Sequence, residues 1–185
     1  MKSAVIIIDM QNGFIEENSP LCIKHAKETI PNISDVIKKA HSRNIPVIYV
    51  TRIYREDGSD VEKCRFDNWN KLKPLTLSAK GALSADMPSE FEVLDTDYKI
   101  IKPRFSAFFN TELDLILRRL NIKHLYLCGT TTPNCIRTTC YDALSLDYEV
   151  SIINDCTSSR TMEVQQANII DMKYIGASII NHQEF

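Results

Sequence analysis

Three residues with the chemistry for attacking a carbonyl carbon occupy similar places in the sequence. Asp9 and Lys102 each directly follow a short apolar run, and Cys135 lies in the turn after another. A thiol can act as a nucleophile, a carboxylate can take its proton, and a cation can stabilise the resulting thiolate. If the three side chains meet, they supply the groups that hydrolysis of an amide requires.

Each of these residues also has a structural interpretation, because strand-end aspartates often cap helices, loop lysines are usually solvated and cysteines often fill cores. The stretch GTTTPNC, residues 129–135, favours a prepared thiol. With Thr132 as N-cap and Pro133 as the first helical residue, Cys135 would lie in the first turn, where free N–H groups favour a thiolate or an oxyanion. We therefore expect a lowered thiol pKa, and a nearby Lys102 would lower it further.

Six short runs rich in β-branched residues predict the strands that would position these groups. They are residues 4–8, 46–50, 98–101, 124–128, 149–153 and 177–180. Their apolar character is nearly continuous, which is typical of parallel strands covered on both faces. Ligands of such sheets bind beyond the carboxyl ends of the strands, which is where the three chemical residues would lie.

Helical periodicity separates the predicted strands. Apolar stripes are formed by Ile33, Val36, Ile37 and Ala40, by Leu113, Ile116, Leu117 and Leu120, and by Ile136, Cys140, Ala143 and Leu144, with a weaker stripe at 161–173. Asn110 is a candidate N-cap for the second helix.

The alternation of strands and helices predicts an α/β fold, a Rossmann-like three-layer sandwich with a mostly parallel six-stranded sheet, formed by one domain over residues 1–185. Residues 51–90 lack a sustained period, and so long a segment predicts a lid or substrate-covering excursion.

Composition narrows the classes of function. Lys plus Arg number 22 and Asp plus Glu number 24, a net charge of −2 without long charged runs, so no nucleic acid partner is expected. The first apolar run is too short for a signal peptide or a membrane span, and we expect no membrane partner. The six cysteines form no C-x-x-C pair, which favours free thiols and a cytoplasmic location.

Four blocks along the chain resemble the motifs of a known family. They are DMQNGF at 9–14, KPRFSAFFNTELDLILR at 102–118, GTTTPNCIRTTCYDA at 129–143, and NDCTSS at 154–159, which we expect to form an acidic turn after a strand. The chain thus resembles the isochorismatase-like cysteine hydrolase superfamily, and in particular its N-carbamoylsarcosine amidase and ureidoacrylate amidohydrolase branch.

The resemblance implies a role for each matching residue. Cys135 would be the nucleophile, Asp9 the general base and Lys102 the cation that stabilises the thiolate. A non-proline cis peptide bond would lie between Thr130 and Thr131, and the amides of Thr131 and Cys135 would form an oxyanion hole. The implied activity is that of an amidohydrolase, which cleaves a C–N bond of a small carbamoyl, ureido or amide substrate through a thioester-type acyl-enzyme.

The stretch TRIYREDGSD, residues 51–60, resembles the carbamoyl and ureido branch, whose substrates pair a carbamoyl group with a carboxylate. Arginines bind carboxylates in bidentate fashion, and the candidates are Arg52, Arg55, Arg65 and Arg104. Three aromatic residues are candidates for the wall of the substrate site, namely Phe14, Trp69 and Phe108. A surface position for each arginine and a core position for each aromatic residue remain open alternatives.

Other functions stay open beside the amidohydrolase. Nicotinamidase-type members of the superfamily carry a metal-binding Asp-x-His after the second strand, but residues 51–54 here are Thr-Arg-Ile-Tyr, so neither a metal nor another cofactor is expected. The alternatives are an isochorismatase-type vinyl ether hydrolase, a nicotinamidase-like amidase, and a non-catalytic binding module. The resemblance further implies a homo-oligomer.

Overall fold

The computed structural model describes residues 1–78 and 81–185, which form a six-stranded, all-parallel sheet. The strands are β1 (Ser3–Ile8), β2 (Val47–Thr51), β3 (Tyr98–Ile101), β4 (His124–Thr130), β5 (Glu149–Ser158) and β6 (Ser178–Ile180). Within the described ranges the α-helices are α1 (Asn12–Ile15), α2 (Ile30–Ser42), α3 (Phe66–Trp69), α4 (Ala82–Ala85), α5 (Leu113–Arg119), α6 (Arg137–Ser145) and α7 (Met162–Tyr174). Lys27–Thr29 is a 3₁₀ turn and Thr132–Ile136 is a π-helical turn.

The strand order is β3-β2-β1-β4-β5-β6, so the chain winds outward from β1 in one direction and then from β4 in the other. The change of direction between β1 and β4 leaves a crevice at the carboxyl ends of these two strands, which is where open α/β sheets bind ligands. The topology confirms the predicted α/β fold, and it places the residues that follow β1 and β4 side by side.

The central strand β1 is buried on both faces. Ala4, Ile6 and Ile8 pack into a core that includes residues of α5, α6 and α7, whereas Val5 and Ile7 pack into a second core with α2. Both faces of the strand therefore need apolar side chains, which explains why its sequence shows a continuous apolar run instead of an alternation.

Two predicted boundaries are wrong. Residues 154–158 were expected to lie in a turn but continue β5, because the ladder shifts register after Leu127 and Gly129 then pairs with Thr157. Helix α5 begins at Leu113 with Glu112 as its N-cap. Asn110 instead has a φ of 51°, and the hydroxyl of Thr111 accepts a hydrogen bond from the Leu113 amide at 3.2 Å.

The segment between β2 and β3 packs as a wall with an apolar cluster of its own. Tyr54, Val61, Trp69 and Leu75 are buried there together with Phe14 of α1. The indole N–H of Trp69 donates to the carbonyl of Pro74 at 2.8 Å. The described residues of the excursion predicted over 51–90 are thus held by packing. Residues 79–80 of this segment lie outside the described residues. None of the described helices has the length and apolar character to span a bilayer.

Candidate active site

The side chains of Asp9, Lys102 and Cys135 meet at the carboxyl edge of the sheet. The Nζ atom of Lys102 lies 2.8 Å from Oδ2 of Asp9 and 3.5 Å from Sγ of Cys135. All three residues are buried, with exposed fractions of 1% for Asp9, 0% for Lys102 and 2% for Cys135. The structure therefore brings together the three residues that the sequence singled out.

Backbone hydrogen bonds carry the sheet pairing one residue past β1 and β3. The Asp9 amide donates to the carbonyl of Val50, and the Lys102 amide donates to that of Thr51, both at 2.9 Å. Asp9 has a φ of 52°, in the left-handed region that aspartate enters more readily than most residues. The strand ends thus fix the backbone from which the carboxylate and the ammonium project.

Gly129 allows β4 to approach β1 directly below this site. It pairs with Ile8, the residue before Asp9, and its φ is 116°. A Cβ atom at Gly129 would lie 2.0 Å from the carbonyl oxygen of Ile8. Only glycine fits this position, which accounts for the first residue of the GTTTPNC stretch.

The threonines of the same stretch tie the cysteine turn to the end of β5. The hydroxyls of Thr131 and Thr132 donate to the carbonyl of Ser158 at 3.2 and 3.0 Å, and the Thr130 hydroxyl accepts from Ser158 Oγ at 3.0 Å. The peptide bond between Thr130 and Thr131 is cis, where the resemblance implied it. Thus each of the three threonines makes a contact that orders the turn.

The cysteine lies one residue deeper in its helical turn than the sequence suggested. The N-cap is Thr131 instead of Thr132, because helical geometry already begins at Thr132, one residue before Pro133. Cys135 is therefore the fourth residue of the turn that runs from Thr132 to Ile136, and α6 continues directly from it.

The expected lowering of the thiol pKa is wrong. Burial and the neighbouring carboxylate of Asp9 raise the pKa of Cys135, and together they outweigh the lowering by Lys102 and Arg52. The thiol is therefore protonated at neutral pH. Neither carboxylate oxygen of Asp9 has a well-aligned hydrogen-bond donor among the described residues, so its lone pairs remain free to accept a proton.

A cavity of about 400 Å³ opens above these residues. Its lining residues are Asp9, Phe14, Pro20, Leu21, Cys22, Ile23, Cys64, Arg65, Asn68, Thr130, Thr131, Asn134, Cys135 and Arg160. Phe14 and Arg65 were expected at the substrate site and lie in this wall. Because Asp9 and Cys135 are almost fully buried, the cavity is the route by which a small molecule reaches them.

Three of the candidate arginines lie outside this cavity. Arg52 is fully buried and forms an ion pair with Glu62. Arg104 turns its guanidinium to the carbonyl groups of Asp60 and Pro103, at 2.8 and 2.6 Å. Arg55 lines a separate surface depression. Their positions correct the expectation that Arg52 and Arg104 bind substrate, because neither guanidinium reaches the cavity.

Two of the candidate aromatic residues lie in the core. Trp69 is 1% exposed and meets the ring of Tyr54 edge to face, with ring centroids 5.8 Å apart. Phe108 packs on the core under α5 and α6 and stacks on Tyr148 at 6.0 Å. Neither belongs to the cavity lining, so the core alternative holds for Trp69 and Phe108.

Sequence reasoning missed several polar residues of the site. Arg160 and Asn134 line the cavity, and Arg160 follows the end of β5 by two residues, so the strand-end rule that identified Asp9 could have found it. Gln11, which belongs to the first motif block, clamps the backbone of Arg52. Its Nε2 donates to the Arg52 carbonyl at 3.0 Å and its Oε1 accepts from the Arg52 amide at 2.7 Å.

Arg65 brings a positive charge to the cavity beside the buried triad. Its guanidinium carbon lies 4.9 Å from the ring centre of Phe105, and its buried Nη1 has no hydrogen-bond partner among the described residues. Arg160 contributes a second, exposed guanidinium. Residues 1–78 and 81–185 contain no group of three or more His, Cys, Asp or Glu side chains arranged to hold a metal ion.

Comparison with known proteins gives consistent matches over the whole chain. The Isochorismatase domain family model matches residues 3–184. A probable inactive nicotinamidase of Arabidopsis thaliana is 42% identical over 94% of this chain and 89% of the relative. A ureidoacrylate amidohydrolase of Caulobacter segnis is 31% identical over 92% of this chain and 79% of the relative. The crystal structure of an isochorismatase family protein from Desulfovibrio vulgaris superposes with a TM-score of 0.89 at 36% identity, over 98% of this chain and 95% of that chain.

Proposed function

The chain belongs to the isochorismatase family of hydrolases, and from this premise we propose that it is a cysteine-dependent amidohydrolase acting on a small carbamoyl, ureido or amide compound. One observation carries the proposal. Lys102 Nζ contacts both the Asp9 carboxylate and the Cys135 sulfur beneath a cavity of about 400 Å³. A nucleophile, a base and a cation within one another's reach are the groups that attack on a C–N carbonyl requires.

In the proposed mechanism Asp9 takes the thiol proton as the sulfur of Cys135 attacks the substrate carbonyl carbon. The raised thiol pKa supports this order, because the resting thiol still holds its proton and the carboxylate beside it has free lone pairs. The ammonium of Lys102 stabilises the negative charge that moves from Asp9 to the sulfur. The amides of Thr131 and Cys135 would receive the oxyanion.

The tetrahedral intermediate then breaks its C–N bond. Asp9 returns the proton to the departing nitrogen, ammonia or an amine leaves, and a thioester-type acyl-enzyme remains on Cys135. Water, deprotonated by Asp9, attacks this intermediate, and the C–S bond breaks to release the acid product and restore the thiol. No metal is needed in any of these steps.

The charges around the cavity support a substrate that carries a carboxylate. Arg65 and Arg160 are both positive, whereas the negative charge of Asp9 is balanced by Lys102. The unpartnered Nη1 of Arg65 can donate to a carboxylate oxygen without breaking an existing hydrogen bond. The volume of the cavity limits the substrate to a small molecule.

Cys135→Ala tests the proposal. With carbamoylated and ureido acids as substrates, we expect ammonia release by the wild type and a loss of about 10³-fold or more in the variant. Cys140→Ala is the matched control, because Cys140 is a fully buried thiol on α6 outside the cavity lining. Wild-type rates of ammonia release in Cys135→Ala would rule out the cysteine mechanism.

The similarity to a probable inactive nicotinamidase supports one second candidate, a binding module that holds a ligand without turning it over. In that case the wild type would bind carbamoylated acids in calorimetry but release no ammonia from them, nor from nicotinamide. Iodoacetamide distinguishes the candidates further. A catalytic Cys135 is expected to react faster than Cys140, whose pKa burial raises to about 12.

A further inference from the structure

A second buried ion pair lies behind the catalytic groups. The guanidinium of Arg52, which directly follows β2, contacts the carboxylate of Glu62, and the other oxygen of that carboxylate accepts from the Tyr54 hydroxyl at 2.7 Å. Arg52 is 0% exposed and Glu62 is 5% exposed. Burying two charges is costly, so the pair needs a reason beyond stability.

The pair is connected to the catalytic lysine through one carbonyl group. The carbonyl oxygen of Arg104 accepts from Nη2 of Arg52 at 2.6 Å and from Nζ of Lys102 at 3.0 Å. The same Nζ contacts Asp9 and Cys135. Arg52 therefore holds the Arg104 carbonyl, and this carbonyl orients one side of the Lys102 ammonium. The other sides of the ammonium face Asp9 and Cys135.

We propose that Arg52 and Glu62 are positioning residues, which hold the Arg104 carbonyl and through it keep the ammonium of Lys102 against Asp9 and Cys135. The inference rests on the proposed function, because it concerns the same site. Neither residue lines the cavity. The charge of Arg52 also lowers the pKa of Cys135 directly, so the variant that tests position must keep this charge.

The chemistry of the two side chains suits this task. A guanidinium can donate to a carboxylate and to a carbonyl at the same time in a fixed planar geometry, whereas a lysine ammonium is a point charge without this fork. Glu62 is ionised, because Arg52 and the Tyr54 hydroxyl lower its pKa by more than burial raises it. It forms the ion pair with Arg52, while the carboxylate of Asp9 pairs with Lys102.

Gln11 holds the other end of Arg52. Because the Gln11 side chain bonds both the amide and the carbonyl of Arg52, the backbone of this residue is fixed to the loop that follows Asp9. The segments that follow β1, β2 and β3 are thereby joined through hydrogen bonds. A substitution at Arg52 is consequently expected to displace Asp9, Lys102 and Cys135 relative to one another, although these residues themselves are unchanged.

Two variants test the proposal without leaving a buried charge unpaired. Arg52→Lys keeps the charge but loses the fork. The triple variant Arg52→Met, Tyr54→Phe, Glu62→Met removes the polar cluster as a unit, and such replacements often preserve stability. Arg118→Lys is the control, because Arg118 forms a surface pair with Asp114 on α5, away from the site.

A positioning role predicts a fall in kcat with little change in KM. We expect kcat to fall about 10-fold in Arg52→Lys and about 100-fold in the folded triple variant, with KM within about 3-fold of the wild type, because small displacements of reacting groups cost this much. Arg118→Lys should leave both constants unchanged. A folded triple variant with wild-type kcat, or one in which only KM changes, would overturn the proposal.

A second readout keeps the two proposals separate. The pH midpoint for alkylation of Cys135 by iodoacetamide, followed by peptide mapping, requires no substrate. Arg52→Lys keeps the positive charge, so a higher midpoint in this variant means that Lys102 has moved away from the Cys135 sulfur, which supports the positioning role. An unchanged midpoint would contradict the positioning role. If the wild type cleaves no amide, the proposed function fails, and this midpoint still decides the role of Arg52.

Discussion

Two ion pairs lie side by side in the interior of this protein, and only one of them faces the cavity. Glu62 has both carboxylate oxygens engaged, one by Arg52 and the other by the Tyr54 hydroxyl. Asp9 meets the Lys102 ammonium at 2.8 Å, yet neither of its oxygens has a well-aligned hydrogen-bond donor in the described part of the chain. The pairs are similar in charge and burial and differ in how completely their hydrogen bonds are satisfied.

The difference shows how a protein separates reactivity from support. A carboxylate with all its lone pairs engaged is a poor base, because a proton must compete with existing donors. A carboxylate held by charge alone keeps its lone pairs for the substrate reaction. The satisfied hydrogen bonds of Glu62 thus suit a fixed scaffold, and the unsatisfied oxygens of Asp9 suit the proton transfer that we propose for it.

The largest expected effect is on activity, and it distinguishes the carboxylate of Asp9 from that of Glu62. Asp9→Asn should lower kcat for ammonia release by about 10³- to 10⁴-fold, because the variant has no base for the thiol proton. Glu62→Gln should lower kcat by no more than about 100-fold, because it acts only on position. Similar losses in the two variants would remove the distinction between the pairs.

Both variants should lose stability. Glu62→Gln is expected to lower the free energy of unfolding by about 3 kcal/mol, since Arg52 is buried and loses its ion-pair partner. Asp9→Asn should lower it by a similar amount, because Lys102 is equally buried and loses the carboxylate 2.8 Å from its Nζ. Urea unfolding monitored by circular dichroism measures both values. A loss below about 1 kcal/mol in either variant would show that its ion pair does not depend on both charges.

The pH dependence of that measurement checks the cause. The folded-state pKa of Glu62 lies below its ordinary value, so its stabilisation is present above the unfolded-state pKa and is lost as the pH falls through the folded-state value. The gap between wild type and Glu62→Gln should therefore be full at pH 7 and shrink below about pH 4. A gap that is independent of pH would show that the charge of Glu62 is not responsible.

A smaller effect is expected from a change that disturbs only the reactive pair. Gly129→Ala places a Cβ against the Ile8 carbonyl, next to Asp9, and should cost about 2–3 kcal/mol of stability and lower kcat. Gly176→Ala is the matched control, because its φ is also 116° but nothing lies within 4 Å of the added Cβ. We expect about 1 kcal/mol there and unchanged kcat. Equal effects would show that backbone strain alone matters at Gly129.

The smallest expected effect is on the titration of the thiol. Burial and Asp9 raise the pKa of Cys135. The rate of alkylation by iodoacetamide should therefore rise with pH, and its midpoint should lie above the ordinary thiol value of about pH 8.5. In Asp9→Asn the neighbouring negative charge is gone, and the midpoint should move to lower pH. An upward shift would show that Asp9 does not face the sulfur.

The sequence revealed the sheet and the candidate catalytic residues for the same reason. In a parallel sheet every strand ends at one edge, so residues that follow buried runs must converge, and Asp9, Lys102 and Cys135 do so. Arg52 follows its strand in the same way, yet it faces Glu62 instead of the cavity. The direction of one side chain at a strand end depends on partners from a segment without periodicity, and sequence pattern does not reveal them.

The wall of the cavity was harder to predict. Arg65 and Glu62 are three residues apart in a segment whose fold depends on packing around Trp69, so one faces the cavity and the other the interior. The pKa of Cys135 was misjudged because a helix start is visible in sequence, whereas the depth of burial is not. A cytoplasmic location and a homo-oligomer remain predictions.

The backbone at residue 9 limits which amino acids can serve there. Its left-handed conformation admits glycine, asparagine and aspartate at low cost and penalises glutamate, although glutamate carries the same acid group. Lengthening the side chain by one methylene would therefore fail twice, through conformational strain and through a displaced carboxylate. The main-chain conformation thus restricts which residue can serve as the proposed base, and a saturation library at this position should recover turnover from aspartate alone.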